Sequence, residues 1–399
     1  SISRSSDMTR NVFVAGVGMI PFKKPGTSDP YDVMGAGAVR EALIDAGIDY
    51  ADVQQAYAGY VYGDSTCGQK ALYHVGMTGI PIINVNNNCA TGSSALFLAR
   101  QAVQSGAVDC ALAVGFEFMQ PGALSSKWSD RAPALERALS VVNELVDRTD
   151  LPSAIRQFSG AGRAHMEKYG TKLETFAKIR AKASQHAARN PLAVFRTVVT
   201  PEEVLASPMI WEGVLTRLMA CPPTCGAAAA IVVSEEFARK RGLRTDVLIA
   251  AQSLTTDLPS TYDSRDMIRV VGFDMTRAGA KLAYEQAGVG PEDIDVIELH
   301  DCFAQNELLT YEGLGLCAEG EAEKLVNDGD NTYGGKWVVN PSGGLLSKGH
   351  PLGATGLAQC YELTHQLRGT ADQRQVEGAK VALAHNLGLG GACVTTVYK

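Results

Sequence analysis

The sequence predicts an α/β protein made of two halves with the same order of elements, which we expect to pack face to face. A helix followed by a strand occurs near the start of the chain and again near its end. In both halves this unit is followed by a glycine-containing turn, a second helix and a second strand, which indicates an internal repeat. Residues 121–220 break the repeat and are predicted to form an inserted loop or cap domain.

The first repeated unit is an amphipathic helix that ends at a glycine and leads into a strand. In the N-terminal half the helix is predicted over 38–48 and the strand over 56–60. In the C-terminal half the corresponding stretches are 280–289 and 296–300. Glycine after the last apolar position of such a helix is typical of a helix C-terminus.

The second repeated unit begins at a turn that carries a reactive side chain. Cys89 opens one turn and helix, which are followed by an apolar strand at 110–114. His350 opens the other, which is followed by a strand predicted at 380–384. Residues 226–240 are predicted to form a buried strand and a helix that return to the first half.

These patterns predict the limits of three domains. The N-terminal half comprises residues 8–120 and 221–250, the inserted domain comprises residues 121–220, and the C-terminal half comprises residues 251–399. Residues 1–7 precede a methionine and are predicted to be a tag remnant outside the fold. A chain of 399 residues exceeds what one hydrophobic core usually organises, so more than one packed unit is expected.

Composition favours a small-molecule substrate over a nucleic acid or a membrane. The net charge of -7 is mild, and no block of basic residues stands out. No apolar run reaches the roughly 20 residues that a membrane span requires. We expect a cytoplasmic protein if the source is bacterial, and a peroxisomal or mitochondrial one if it is eukaryotic.

The cysteines indicate reduced thiols rather than disulfides or a metal site. There are nine of them, scattered along the chain with no Cys-x-x-Cys pair. Cys221 and Cys225 lie four positions apart, but no further cysteine or histidine accompanies them as metal ligands usually do. We therefore expect no bound metal.

Cys89 is the first candidate for a catalytic residue. It lies where a strand turns into a helix, so the free N–H groups of the helix are expected to favour its thiolate. Cysteine nucleophiles are commonly activated in this way, with a base nearby. A small buried thiol that only fills space beneath the helix is the alternative.

Two histidines and a second cysteine are the other candidates. His350 occupies the position in its half that Cys89 occupies in the other, so the two turns are expected to meet. His300 and Cys302 follow a buried strand, and ligands of α/β proteins bind beyond the carboxyl ends of strands. In an extended stretch both side chains would share one face, opposite Asp301. Turn-capping histidines and a core cysteine remain the alternatives.

A glycine-rich loop near the C-terminus is a further candidate. Gly388, Gly390 and Gly391 follow the strand predicted to end at Ala384. Backbone N–H groups in such a loop can approach a ligand closely, as an oxyanion site requires. A tight turn without any function gives the same pattern.

Taken together, these motifs resemble those of the thiolase family over nearly the whole chain. Four of them match in order: NNNCATG at Cys89, HDCF at His300, SKGHPLGATG at His350 and the terminal HNLGLGGA. GFEFM at 115–119 resembles the family's Gly-x-Glu-x-Met strand end. The resemblance implies the five-layered αβαβα fold of thiolases, built from two similar halves with a loop domain over coenzyme A.

Two variants point to the sterol-carrier-protein-type thiolases within that family. Most thiolases have Asn-Glu-Ala-Phe where this chain has HDCF, and they carry a second catalytic cysteine in a Cys-x-Gly turn near the C-terminus. That cysteine is missing here, and Cys393 lies beyond the glycines. The resemblance therefore implies that the acid/base thiol has moved to Cys302.

The remaining roles are carried over from the same resemblance. Cys89 is the nucleophile and His350 takes its proton, while His300 and His350 hold the thioester oxygen. The backbone N–H groups of Cys89 and Gly388 form a second oxyanion site. The chain departs from the family in two places, with Thr91 where many thiolases have serine and Cys225 where most have aspartate before Gly226.

The reaction that the resemblance implies is thiolysis of a 3-oxoacyl-CoA to acetyl-CoA, or propionyl-CoA, and a shortened acyl-CoA, in the degradation of fatty acids or sterol side chains. Coenzyme A is a co-substrate, no permanently bound cofactor is expected, and a homodimer is implied. The alternatives are a Claisen-condensing enzyme resembling the ketoacyl synthases and a non-catalytic protein that binds acyl-CoA or lipid. Cys302 disfavours the condensing enzyme, since decarboxylative condensation needs no second thiol.

Overall fold

The computed structural model describes residues 10–122 and 124–399. The predicted tag remnant at 1–7 lies outside the described residues. The N-terminal half begins with β1 (Val12–Met19), α1 (Tyr31–Ala46), β2 (Gln55–Gly59), α2 (Cys67–Leu72), β3 (Ile82–Val85), α3 (Thr91–Gln104) and β4 (Cys110–Glu117). An insertion follows, with α4 (Glu136–Leu145), α5 (Ser153–Tyr169), α6 (Leu173–Ala187), α7 (Pro201–Ala206), β5 (Met209–Trp211) and β6 (Leu215–Thr216).

The chain then returns to the first half and continues into the second. The return consists of β7 (Gly226–Ser234) and α8 (Glu235–Arg241), as predicted. The C-terminal half contains β8 (Ile249–Thr255), α9 (Pro259–Asp263), α10 (Met267–Val270), α11 (Phe273–Ala287), β9 (Val296–Glu298), α12 (Ala304–Gly313), α13 (Ala322–Asn327), β10 (Val338–Val339), α14 (Gly344–Ser347), α15 (Thr355–Arg368), β11 (Ala382–Gly388) and β12 (Ala392–Tyr398).

The two halves have the same sheet topology. The first sheet has the strand order β1-β7-β4-β2-β3, and the second, read from its other edge, has the order β8-β12-β11-β9-β10. In each sheet three strands are parallel to one another, and the two strands at one side run antiparallel to their neighbours. The internal repeat and the α/β fold class are therefore confirmed.

The layers follow from where each helix buries its apolar residues. Helices α3 and α15 lie between the two sheets, in a core that includes Leu96, Leu357 and Ile249. Helix α1 covers the outer face of the first sheet, and α11 covers the outer face of the second. The order helix, sheet, helix, sheet, helix is the predicted five-layered arrangement.

Glycines allow the two central helices to meet at their N-termini. A Cβ atom on Gly356, in the first turn of α15, would lie 2.2 Å from the backbone nitrogen of Ser93 in α3. A Cβ atom on Gly92 would lie 2.8 Å from the carbonyl oxygen of Gly353. This close approach places the turn at Cys89 directly beside the turn at His350.

The insertion shares a hydrophobic core with the C-terminal half. Phe158 of α5 stacks on Phe303, which precedes α12, with ring centroids 5.4 Å apart. Phe176 of α6 is fully buried in the same core as Leu308.

The predicted limits of the three domains stay a prediction. Among the described residues, no helix combines the length and apolarity needed to cross a membrane.

Three predicted strand ends are wrong by two or more residues, although the predicted helix ends at Gly47 and Gly288 are confirmed. Both glycines have the left-handed backbone, with φ of 72° and 68°. The strand predicted over 296–300 ends at Glu298, the one predicted to end at Ala384 continues to Gly388, and the one predicted over 110–114 continues to Glu117. Buried polar side chains in and after β9 and β11 obscure the apolar pattern from which the ends of these two strands were predicted.

Candidate active site

Cys89 lies in the turn between β3 and α3, and the turn is held by its own polar groups. Asn88 has a left-handed backbone with φ of 51°. The hydroxyl of Thr91 accepts the N–H of Asn87 at 2.9 Å and donates to the carbonyl oxygen of Asn88. Threonine therefore supplies a hydroxyl at the position where many thiolases have serine.

The Cys89 thiol is not acidified by its position, contrary to the prediction from the helix N-terminus. Burial raises its pKa to about 12, and the nearby Glu117 carboxylate adds to the rise. The backbone hydrogen bond at Cys89 lowers the pKa by a smaller amount, because loss of hydration outweighs one N–H dipole. Cys89 is therefore a thiol at neutral pH and needs a base to react.

His350 presents a ring nitrogen that is free to accept a proton. Its Nδ1 lies 2.6 Å from the hydroxyl of Thr355, which donates to the carbonyl oxygen of Pro351 at 3.1 Å. The hydroxyl thus accepts the Nδ1–H and leaves a lone pair on Nε2, which is buried without a hydrogen-bond partner among the described residues. Burial, aided by the Lys348 charge, lowers the pKa of His350 to about 3, so the ring is neutral at pH 7.

The structure brings Cys89, His300 and His350 together. One potential ligating atom from each lies within 4.8 Å of the other two. The rings of the two histidines meet edge to face, with centroids 5.1 Å apart and planes at 83°. Among the described residues, Cys89, His300 and His350 form the one group of cysteine, histidine and carboxylate side chains whose spacing could also suit a metal ion. The same spacing suits a nucleophile with a base and a hydrogen-bond donor.

His300 is held in place by the end of β11. Its Nδ1 lies 3.2 Å from the side-chain nitrogen of Asn386, which also donates to the carbonyl oxygen of Cys89 at 2.9 Å. The backbone N–H of His300 donates to Nδ1 of His385 at 3.4 Å. Burial lowers the pKa of His300 well below its usual value, and the neighbouring His350 and His385 add to the effect.

Cys302 is buried close to the same group, but not for the predicted reason. The stretch after β9 is a turn, in which the N–H of Asp301 donates to the carbonyl oxygen of Leu299 at 3.1 Å. Burial raises the pKa of Cys302 well above its usual value, and the neighbouring Cys221 and Cys89 add to the rise. Cys302 is therefore a thiol that can donate a proton at neutral pH.

Cys221 is a third thiol at this place, which sequence reasoning considered only as a metal ligand. Its N–H donates to the carbonyl oxygen of Cys302 at 2.9 Å. Burial raises its pKa, and the neighbouring Cys89 is the next cause of the rise. No sequence signal separates Cys221 from the other cysteines, because its neighbours come from a distant part of the chain.

Gly388 lies beside the Cys89 turn, although it ends a strand instead of forming a turn. It pairs with Ala392 at the end of the β11–β12 hairpin, whose turn contains Gly390 and Gly391 with φ of 97° and 122°. A Cβ atom on Gly388 would lie 2.1 Å from the carbonyl oxygen of Asn87. Only glycine permits this contact with the Cys89 turn.

Glu117 ties the loop after β2 to the turn that contains His350. Its carboxylate accepts backbone N–H groups of Val61 at 3.0 Å, Tyr62 at 2.9 Å and Gly353 at 3.0 Å. The first two lie after β2, and the third lies between His350 and α15. The motif at 115–119 contains this residue, but the sequence gives no indication of its partners.

The departure at Cys225 lies next to Thr224, a residue that contacts the His350 turn. The hydroxyl of Thr224 accepts the backbone N–H of His350 at 3.1 Å and donates to the carbonyl oxygen of Pro222 at 2.9 Å. Cys225 is buried, and its thiol donates to the carbonyl oxygen of Met119 at 3.5 Å. A polar contact at this return to the first half is thus made by Thr224.

Family profiles match both halves of the chain. "Thiolase, N-terminal domain" matches residues 12–236, and "Thiolase C-terminal domain-like" matches residues 259–398. The protein belongs to the thiolase family, whose members are acyltransferases that use coenzyme A.

Individual relatives agree with this assignment. Sterol carrier protein 2 of Oryctolagus cuniculus is 57% identical over 97% of this chain and 72% of its own length. An acetyl-CoA acetyltransferase of Methanothermobacter thermautotrophicus is 34% identical over 98% of this chain and 99% of its own. The crystal structure of human mitochondrial 3-ketoacyl-CoA thiolase in complex with CoA superposes with a TM-score of 0.72 over 98% of each chain, at 19% identity. That likeness confirms the thiolase fold.

Proposed function

We propose that the protein cleaves 3-oxoacyl-CoA by thiolysis, through an acyl intermediate on Cys89. The observation that carries the proposal is the convergence of Cys89, His300 and His350, together with the unpaired Nε2 of His350 and a second buried thiol, Cys302, that interacts electrostatically with Cys89. A nucleophile and its base would suffice for many acyl transfers. The second thiol provides the proton carrier that cleavage of a carbon–carbon bond requires.

In the first step His350 Nε2 takes the proton of Cys89, and the thiolate attacks the 3-keto carbon. The backbone N–H groups of Cys89 and Gly388 hold the resulting alkoxide. The bond between carbons two and three then breaks, and its electron pair moves onto the thioester as an enolate. His300 donates a hydrogen bond to the enolate oxygen, with His350 beside it.

In the second step Cys302 gives its proton to carbon two, and acetyl-CoA leaves. A 2-methyl-branched substrate gives propionyl-CoA instead. The Cys302 thiolate takes the thiol proton of incoming coenzyme A, whose sulfur attacks the acyl group on Cys89. The shortened acyl-CoA is released, and the Cys89 sulfur recovers its proton from His350. A raised pKa keeps Cys302 protonated at neutral pH and makes its thiolate a strong base.

The proposed setting is degradation of fatty acids or sterol side chains, by a homodimer. The sterol carrier protein among the relatives supports a lipid substrate, and the names of two other relatives support a coenzyme A thioester. A Claisen-condensing enzyme and a non-catalytic lipid-binding protein remain the competing functions.

The test compares the wild type with Cys302→Ala and Cys221→Ala on a panel of 3-oxoacyl-CoA substrates and on a malonyl thioester. We expect thiolysis by the wild type, a loss of about 10²- to 10⁴-fold in kcat for Cys302→Ala because a general acid is removed, and a change within a few-fold for Cys221→Ala. Activity only with the malonyl donor would identify a condensing enzyme. Undiminished thiolysis in Cys302→Ala would show that the proton carrier lies elsewhere.

A further inference from the structure

Asn386 makes two contacts that a residue serving only as core filler would not need. Its side chain is fully buried, and its nitrogen faces both the Cys89 carbonyl oxygen at 2.9 Å and His300 Nδ1 at 3.2 Å. Its Oδ1 has no hydrogen-bond partner among the described residues. A Cβ atom added to Gly356 would lie only 2.5 Å from this oxygen. Exchanging the two amide atoms would place an oxygen against the Cys89 carbonyl oxygen, so the orientation is fixed.

An amide nitrogen can only donate hydrogen bonds. Nδ1 of His300 must therefore accept, which places the proton of the neutral ring on Nε2. His350 is in the opposite state, because the Thr355 hydroxyl accepts its Nδ1–H and leaves Nε2 with a lone pair. Two neighbouring histidines thus present different groups, a donor on His300 and an acceptor on His350.

We infer that Asn386 is a positioning residue that selects the Nε2–H tautomer of His300 and thereby makes this ring a hydrogen-bond donor to the thioester oxygen. The inference rests on the proposed function for the identity of that oxygen. Because the same amide holds the Cys89 carbonyl oxygen, it also fixes the nucleophile turn relative to the donor. Asn386 itself does not touch the reacting atoms.

The tautomer can be read directly in the full-length protein, without any assay of activity. With 15N-labelled histidine, His300→Asn identifies the signals of His300 among the seven histidines. In the wild type, Nδ1 of His300 is expected to give a pyridine-type signal and Nε2 a pyrrole-type signal. In Asn386→Asp the carboxylate accepts Nδ1–H, so the two types should exchange. A pyrrole-type Nδ1 in the wild type, or no exchange in the variant, overturns the inference.

Activity provides the second arm. Asn386→Asp is expected to lower kcat for thiolysis about 10²- to 10³-fold, since an oxyanion donor is lost. Asn386→Ala removes the preference for the Nε2–H tautomer of His300 without reversing it. A smaller loss in kcat, about 10-fold, is therefore expected, as for other residues that hydrogen-bond the far side of a functional histidine. A loss in Asn386→Ala that equals or exceeds the loss in Asn386→Asp would indicate a merely structural role. If the wild type catalyses no thiolysis, the proposed function fails, while the 15N signals still decide the tautomer.

Discussion

At the scale of single residues, burial controls the reactivity of the site. Loss of hydration holds Cys89 and Cys302 as thiols and keeps His300 and His350 neutral. Every charge needed for the reaction must therefore be produced by proton transfer between neighbours once substrate is bound. A protein whose cysteine were already a thiolate would be alkylated whether or not the histidine was present.

This arrangement predicts that Cys89 depends on His350 for its reactivity. In His350→Gln the rate of alkylation of Cys89 by iodoacetamide should fall about 10²-fold or more, the usual contribution of a general base. Peptide mass spectrometry measures the rate, with the fully buried Cys110 and Cys360 as internal references. The wild type should label Cys89 well ahead of these two. Equal labelling of all three, or an unchanged rate in the variant, would contradict the assignment of base and nucleophile.

At the scale of helices and strands, the repeat was predictable, while the partners of the catalytic residues were not. Helix periodicity and terminal glycines are local signals, so the ends at Gly47 and Gly288 followed from the sequence. The end of β11 did not, because the buried polar residues His385 and Asn386 look like a loop. His385 can be buried in the strand because both of its ring nitrogens have hydrogen-bond partners, the Thr276 hydroxyl and the backbone N–H of His300.

Long-range contacts explain what else the sequence could not show. Asn386 bonds a carbonyl group 297 positions away, and Glu117 bonds an N–H group 236 positions away. Neither contact leaves a periodic trace in the sequence. The four motif residues were found because each lies at the end of a recognisable strand or the start of a recognisable helix. Residues that only orient these motif residues, such as Asn386 and Glu117, could be identified only from the folded structure.

The junction between the central helices gives a prediction at this scale. Gly356→Ala should lower the free energy of unfolding by about 1–3 kcal/mol, because its Cβ atom would lie 2.2 Å from the Ser93 nitrogen and backbone must move. Gly37→Ala in α1 is the matched control. There the nearest atom, on Ile20, is at 3.4 Å, and alanine should raise stability by about 0.5–1 kcal/mol.

Urea unfolding followed by circular dichroism measures both variants. Gly356→Ala should also reduce thiolysis, since the displaced helix carries the Cys89 turn away from the His350 turn. A Gly356→Ala protein as stable and active as the Gly37→Ala protein would show that the two halves do not depend on this contact.

At the scale of the whole molecule, one carboxyl group links the halves across the site. Glu117 lies at the end of β4 in the first half and bonds Gly353 in the second, with 1% of its surface exposed. Burial raises its pKa to about 7, although three backbone N–H groups act in the opposite direction. A folded-state pKa above the unfolded value of 4.5 means that the folded protein binds the extra proton between these two pH values.

Glu117 should therefore make the folded protein less stable as pH rises from about 4.5 to 7. Its contribution is fully present below the unfolded pKa and is lost as pH passes through the folded one, a change of about 3 kcal/mol at 1.36 kcal/mol per pH unit. The buried histidines give the opposite slope. His186, His350 and His385 have pKa values lowered to about 3, so their contribution is lost as pH falls from about 6.5 to 3.

The Glu117→Gln variant separates the contribution of Glu117 from that of the histidines, since the histidines contribute equally to the stability of the wild type and of the variant. The variant should be less stable than the wild type at pH 5. The NH2 group of glutamine would face backbone N–H groups that donate to the carboxyl oxygens in the wild type, so a decrease of about 1–3 kcal/mol in the free energy of unfolding is expected. Between pH 5 and 7 the wild type should lose about 2–3 kcal/mol of stability relative to the variant, so that the difference between them shrinks or changes sign and then stays constant above pH 7. Urea unfolding at fixed protein concentration across this range measures the difference. A difference that does not change with pH would show that Glu117 is ionised throughout, held as a carboxylate by its three N–H donors.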